Sequence, residues 1–312
     1  MVLYIVVPCY NEQEVLPETA KRLNEKLNGL KCEKKISDKS RIVFVNDGSK
    51  DDTRKIINRL CSENKNFCGI TLSRNCGHQN ALIAGLEYAA ERCDAAVSID
   101  ADLQDDINAI DQMIEKHQSG CEIVYGVRKS RKKDSFFKRN SALFFYKLLK
   151  FFGVEAVYNH ADYRLMSKNA LTALRNFNEV NLFLRGIVPL VGFKSDIVYY
   201  DRDRRFAGES KYPLKKMISF GLEGITSFSI KPIRMIFSAG LVMLAVSLIM
   251  LIYALVSYFS GHITSGWTSL ILSVWAIGGL QMVSIGIIGE YIGKVYLETK
   301  RRPRYIIEEI KD

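Results

Sequence analysis

From Met235 to Gly289 the chain carries no Asp, Glu, Lys or Arg, although 25% of all residues are charged. So long an uncharged run has to be buried, either in protein or in lipid. A loop from Ser260 to Trp267 divides it into two spans, about residues 236–259 and 268–289. Each is long enough to cross a membrane, because ~20 helical residues rising about 1.5 Å apiece cover the ~30 Å hydrocarbon layer. A helical pair buried in a soluble core is the competing solution. Lys231 and Arg234 precede the pair, Lys294, Lys300, Arg301, Arg302 and Arg304 follow it, and the loop between has no charge. By the positive-inside rule both chain ends are then cytoplasmic. The expected organisation is a cytoplasmic domain over 1–211, an amphipathic juxtamembrane helix over 212–234, two transmembrane helices over 235–292 and a basic cytoplasmic tail over 293–312.

Ahead of this region, short apolar runs at 2–7, 42–45, 69–72, 95–99 and 123–125 alternate with segments whose apolar residues recur every three or four positions, near 14–27, 53–61, 79–90 and 107–117. The first reads as strands and the second as helices. The opening residues lack a basic lead and read as a strand, not a leader. Near-continuous apolar strands separated by helices imply an α/β fold with a doubly wound, mostly parallel sheet covered on both faces. In such sheets ligands bind beyond the carboxyl ends of the strands.

Three strand ends carry polar groups: Pro8-Cys9-Tyr10-Asn11-Glu12, Asn46-Asp47-Gly48-Ser49 and Asp100-Ala101-Asp102-Leu103-Gln104. Residues i and i+2 of an extended chain point the same way, so Asp100 and Asp102 can share one divalent ion, typically one carrying a diphosphate. A solvated strand end is the plainer account. Asp47 can accept N–H groups of a base and Tyr10 can stack on one, whereas an ordinary turn with a helix cap also explains Asp47-Gly48-Ser49. Gly-x-Gly-x-x-Gly and P-loop patterns are absent, which removes the usual dinucleotide and P-loop cradles. The seven cysteines form no Cys-x-x-Cys pair, so reduced thiols are expected rather than zinc or a disulfide framework. The net charge of +10 suits an anionic lipid surface better than nucleic acid, given the apolar spans.

Together with Ser73-Arg74-Asn75-Cys76-Gly77-His78-Gln79, Ala161-Asp162-Tyr163-Arg164-Leu165-Met166 and Phe206-Ala207-Gly208-Glu209-Ser210-Lys211-Tyr212, these elements resemble glycosyltransferase family 2. Within it they resemble the polyisoprenyl-phosphate transferases, the group of dolichyl-phosphate mannose synthase and bactoprenol glucosyl transferases. The resemblance implies a glycosyltransferase A-type nucleotide-sugar fold and covers nearly the whole chain. It implies donor contacts at Pro8, Tyr10, Glu12, Val45, Asp47, Asp100, Ala101 and Gln104. It also implies a Mg²⁺ or Mn²⁺ site at Asp100, Asp102 and Gln104, and phosphate contacts at Arg128, Arg205 and Lys211. Asn46, Cys76 and Asp106 depart from the usual Asp, Phe and Pro.

The activity this implies is inverting transfer of one sugar, with UDP-glucose the preferred donor, to a polyprenyl phosphate such as undecaprenyl phosphate at the cytoplasmic membrane face. A GDP-mannose-using synthase is the alternative; a processive synthase, which resembles a Gln-x-x-Arg-Trp motif absent here, or an inactive scaffold, ranks lower. Asp102 and Asp162 are the catalytic candidates. A lipid monophosphate with a second pKa near ~6 hardly needs a base, so Asp162 is a proton acceptor, an orienting group for the acceptor or Arg164, or a structural residue.

The basic run Arg128, Lys129, Arg131, Lys132, Lys133, Lys138 and Arg139 ahead of Phe144-Phe145-Tyr146 suits lipid head groups. Leu214, Met217, Ile218, Leu222, Ile225 and Phe228 give the helix after Pro213 one apolar face. Gly278-Gly279 and Gly289-x-x-x-Gly293 allow close helix packing, within the pair of spans or between copies in a homo-oligomer. No histidine has metal-ligand spacing. His78, inside a motif loop, can approach the donor.

Overall fold

The computed structural model describes residues 1–129, 160–179, 183–201, 229, 231–260 and 266–312. They fall into two compact units, one built on a β-sheet and one on two long helices.

In the first unit, Leu3–Cys9 (β1), Arg41–Asn46 (β2) and Phe67–Leu72 (β3) are buried almost throughout. Ala95–Ser98 (β4) and Ile123–Arg128 (β5) continue the pattern. The helices between them are Leu16–Cys32 (α1), Thr53–Glu63 (α2), His78–Ala90 (α3) and Ala109–Gln118 (α4). His160–Ser167 (β6), Lys168–Leu174 (α5), Leu184–Leu190 (α6), Ser195–Tyr200 (β7) and Ile307–Lys311 (β8) complete it.

Among the described residues the sheet order is β7-β5-β6-β4-β1-β2-β3-β8. The ladders β3-β2-β1-β4 are parallel, β6 runs antiparallel between β4 and β5, and β7 is parallel to β5. The sheet is thus mixed but mostly parallel, as expected. Because the chain winds from β1 through β2 and β3, then returns to β4 on the other side of β1, the strand order reverses between β1 and β4. A crevice for ligands is expected there.

Alternation along β1 sends Leu3, Ile5 and Val7 into a core with Leu23 and Leu27 of α1 and Ile110 and Met113 of α4. The opposite face carries Val6 and Val45, on which α3 sits so closely that a Cβ at Gly85 would lie 2.4 Å from Val6 Cγ1 and 2.8 Å from Val45 Cγ2. The composition of α3 follows from this approach. Ala81, Ala84, Gly85 and Ala89 are all buried, and larger side chains would force it off the sheet.

The last residues differ from the expected basic tail. β8 pairs antiparallel with β3, Ile70 opposite Ile310 and Thr71 opposite Glu309. Arg54 Nη2 holds Glu308 Oε1 at 2.9 Å and Glu309 Oε2 at 3.0 Å. The strand covers what would otherwise be an open sheet edge.

In the second unit, Lys231–Phe259 (α7) and Trp267–Thr299 (α8) are continuous helices. Apolar side chains such as Phe237, Val242, Ile249, Val256 and Val283 remain exposed along them. Among the described residues one stretch, Ala276–Thr299, is long and apolar enough to cross a membrane. The sequence predicts a second span over 268–289, whereas α8 runs on past Glu290 and Lys294. Most of the segment expected as an amphipathic helix over 212–234, the basic residues from Arg131 to Arg139, Phe144-Phe145-Tyr146, and the phosphate candidates Arg205 and Lys211 lie outside the described residues, while 231–234 open α7.

Candidate active site

Two loops at the carboxyl ends of β1 and β2 are laced together by side chain to backbone bonds. Ser49 Oγ accepts from Asn11 N at 3.0 Å, Asn11 Oδ1 from Lys50 N at 2.9 Å, and Thr53 Oγ1 from Glu12 N at 2.9 Å. Asn46 Oδ1 accepts from Ser49 N at 3.1 Å, so an amide at this position serves the turn without a second carboxylate.

Asp47 is 2% exposed. Its carboxylate accepts from Cys76 N at 2.7 Å and Gly77 N at 3.0 Å, tying the β2 loop to the start of α3. Burial raises its pKa above the ordinary aspartate value, while those two amides act in the opposite sense. Gly48 makes the approach feasible: its φ is +61°, and a Cβ there would lie 2.5 Å from the backbone of Arg74 and Asn75.

At the end of β4 the acidic turn is held from behind. Thr19 Oγ1 donates to Ala101 O at 2.7 Å, Asp102 Oδ1 accepts from Gln104 N at 3.1 Å, and Leu103 takes a φ of +56°. Asp102 is buried, whereas solvent reaches 34% of the Asp100 side chain. Burial first, then the nearby carboxylates of Asp105, Asp162 and Asp102, push the Asp100 pKa up to about 6, with His78 opposing them.

Across from this turn, β6 delivers Asp162. Its Oδ1 accepts from Arg164 Nη2 at 2.7 Å, and Arg185 of α6 reaches both its oxygens at 3.4 Å. Burial works to raise the Asp162 pKa, but Arg185 and Arg164 outweigh it and hold the carboxyl well below the usual range. His78 Nε2 stands between the two acidic groups, 3.4 Å from Asp100 Oδ1 and 3.8 Å from Asp162 Oδ2. Farther along the strand ends, Asp105 accepts from Tyr200 OH at 2.5 Å and from Arg128 Nη2 at 3.3 Å.

A model of the family described as "Glycosyl transferase family 2" matches residues 4–175, which contain Asp47, Asp100, Asp102 and Asp162. The chain belongs to glycosyltransferase family 2. This glycosyltransferase is 54% identical over 98% of its length to the "Uncharacterized glycosyltransferase YkoT" of Bacillus subtilis (strain 168), covering 91% of that protein. It is 41% identical to the "Prophage bactoprenol glucosyl transferase homolog" of Escherichia coli (strain K12), with 100% of both chains covered. It is 39% identical to the "Bactoprenol glucosyl transferase" of Shigella phage SfX, again over 100% of both.

The family 2 fold thus gathers Tyr10, Glu12, Asp47, Asp100, Ala101, Asp102 and Gln104 at one sheet edge, with Tyr10 42% exposed. Pro8 and Val45 are directly paired on β1 and β2 and buried, Val45 beneath Gly85 of α3. Arg128 is anchored by Asp105 and Tyr200 at the end of β5. Among the described residues no three His, Cys, Asp or Glu side chains form a group able to hold a metal by themselves. Sequence reasoning missed Arg185 altogether and gave His78 no definite partner. The signal for Arg185 is faint, one arginine in an apolar stretch, and the place of His78 at the start of α3, 3.4 Å from Asp100, emerges only from the fold.

Proposed function

We propose that this glycosyltransferase moves one glucosyl residue from UDP-glucose to a polyprenyl phosphate such as undecaprenyl phosphate, at the cytoplasmic face of a membrane, with inversion at the anomeric carbon. The observation that carries the reading is the acidic turn Asp100-Ala101-Asp102 at the end of β4, where the strand order reverses beside β1. Two relatives named for bactoprenol glucosyl transfer, about 40% identical along the whole chain, support the substrate class. The exposed apolar stretch Ala276–Thr299 supports a lipid setting.

The donor set tests for a divalent ion. Asp100 and Asp102, with the amide of Gln104, offer hard oxygen ligands but too few for a closed cage, which fits Mg²⁺ or Mn²⁺ shared with diphosphate oxygens and water. Burial first, and then the neighbouring carboxylates, raise the Asp100 pKa, and such a cation offsets the crowding of the carboxylates. When bound, the ion supplies Lewis-acid stabilisation of the departing diphosphate.

The chain's own residues do the rest. Tyr10 and Glu12 border the donor site, and Asp47 braces the turn beside it. The acceptor phosphate oxygen attacks the anomeric carbon, the bond from that carbon to the diphosphate oxygen breaks, and UDP leaves with the electron pair. Asp162 is held ionised by two guanidiniums, so it positions its neighbours and takes no proton. Purified protein supplied with UDP-glucose and a short-chain polyprenyl phosphate is expected to release UDP and form a glucosyl lipid. Transfer from GDP-mannose in preference to UDP-glucose would replace the donor assignment.

A further inference from the structure

The loop 73–77 carries the two amides that hold Asp47, and β8 with the residues just before it grips the chain on both sides of that loop. Where the loop leaves β3, Ser73 N donates to Ile306 O at 3.0 Å. Beyond it, on α3, Tyr305 OH donates to Glu87 and Tyr88 OH donates to Asp312. The thiol of Cys68 donates to the same Asp312 oxygen at 3.4 Å, and Arg41 Nη1 lies 3.4 Å from it. Arg54 of α2, the helix whose Ile57 joins the core on the other face of the sheet, holds Glu308 and Glu309. The segment 305–312 thus straddles the sheet edge. Few apolar side chains secure it, since Ile306, Ile307 and Ile310 are all exposed. A strand held by hydrogen bonds and charge, with little apolar surface buried, opens at a lower cost than global unfolding.

We infer that residues 305–312 are a detachable strap that sets the 73–77 loop, and through it Asp47, for nucleotide binding, with Tyr305 and Asp312 as its positioning residues. The inference rests on the donor site proposed above. The route consists of direct bonds: Ile306 to Ser73 at the entry of the loop, Cys76 and Gly77 to Asp47 within it, Glu87 and Tyr88 to the strap beyond it. Gly48 packs so closely on the backbone of Arg74 and Asn75 that a shift of the loop displaces the β2 turn with it. Coupling is reciprocal, so a nucleotide that favours the ordered loop also favours the docked strap.

The test is amide hydrogen exchange of the full-length protein in detergent, with and without UDP and Mn²⁺, for wild type, Tyr305→Phe, Asp312→Ala and Asp312→Glu. Without nucleotide, Asp312→Ala should exchange about 10-fold faster in β8 and in the 73–77 loop, the loss of a charge-assisted hydrogen bond, while β1 is unchanged. Tyr305→Phe should act in the same direction, and Asp312→Glu should recover part of the protection. UDP with Mn²⁺ should slow exchange in β8 of wild type, and its Kd should rise about 5- to 10-fold in Asp312→Ala, at the low end of coupling between sites. Unchanged exchange in the loop, whether or not β8 opens, overturns the inference. So does acceleration in β1 equal to that in the loop, which would make the segment a stabiliser of the whole sheet. A wild type that binds no UDP would defeat the donor-site reading, and the comparison without nucleotide would still decide the strap.

Discussion

The Nε2 of His78 lies 3.4 Å from Oδ1 of Asp100, at the first turn of a helix whose start is fixed by Asp47 on the neighbouring loop. A single imidazole thus faces a carboxyl that burial and three other carboxylates push up to about 6. The raised value means that the folded state binds this proton more tightly than the unfolded chain, whose aspartates titrate near ~3.9. The contribution of Asp100 to stability is therefore present below about pH 4 and lost as pH rises through about 6. Thermal melts of the metal-free protein should show the gap between wild type and Asp100→Asn shifting against wild type over that window. Added Mn²⁺ should restore wild type and not the variant, and its affinity for wild type should fall as pH drops below about 6.

Asp162 behaves in the opposite sense. Its depressed pKa leaves it ionised throughout the range in which enzymes are assayed, so its stabilising effect is lost only in strong acid. Asp162→Asn should lower kcat but keep the acidic limb of the wild-type pH profile, because no proton leaves the acceptor to this group. It should also destabilise the fold by about 3–5 kcal/mol, since buried Arg164 loses its counter-charge. A pH profile of kcat/KM that loses its acidic limb in the variant would restore Asp162 as a base.

Gly85→Ala probes the seat of α3. Its new methyl would meet Val6 and Val45, β-branched side chains with little rotamer freedom. A loss of about 1–3 kcal/mol is expected, read from the midpoint of denaturant unfolding. An unchanged midpoint would show that α3 can shift without cost.

The parallel core was legible because strands buried on both faces need little context: β1 and β2 are apolar runs bounded by polar strand ends. The acidic turn was legible for the same reason, standing where a buried strand surfaces. β6, β7 and β8 were not. Arg164 on β6 is a charge buried by a partner two residues away, and β7 alternates exposed and buried positions around Tyr199 and Tyr200. β8 contains Glu308 and Glu309 and gains its structure from pairing with β3, far away in sequence. Arg185 became visible only when the fold set α6 beside Asp162, since nothing local marks it.

The central claim is that Asp100 and Asp102 form the metal-diphosphate site of a lipid-directed glucosyl transfer. Its most direct test is UDP release from UDP-glucose by the purified full-length protein, with short-chain polyprenyl phosphate and Mg²⁺ or Mn²⁺ each present or omitted, for wild type and Asp102→Ala. Release is expected only when donor, lipid phosphate and metal are all supplied, and about 10³-fold more slowly in the variant, the loss of several kcal/mol of transition-state stabilisation. Equal release by Asp102→Ala, or wild-type release undiminished by a chelator, would contradict it.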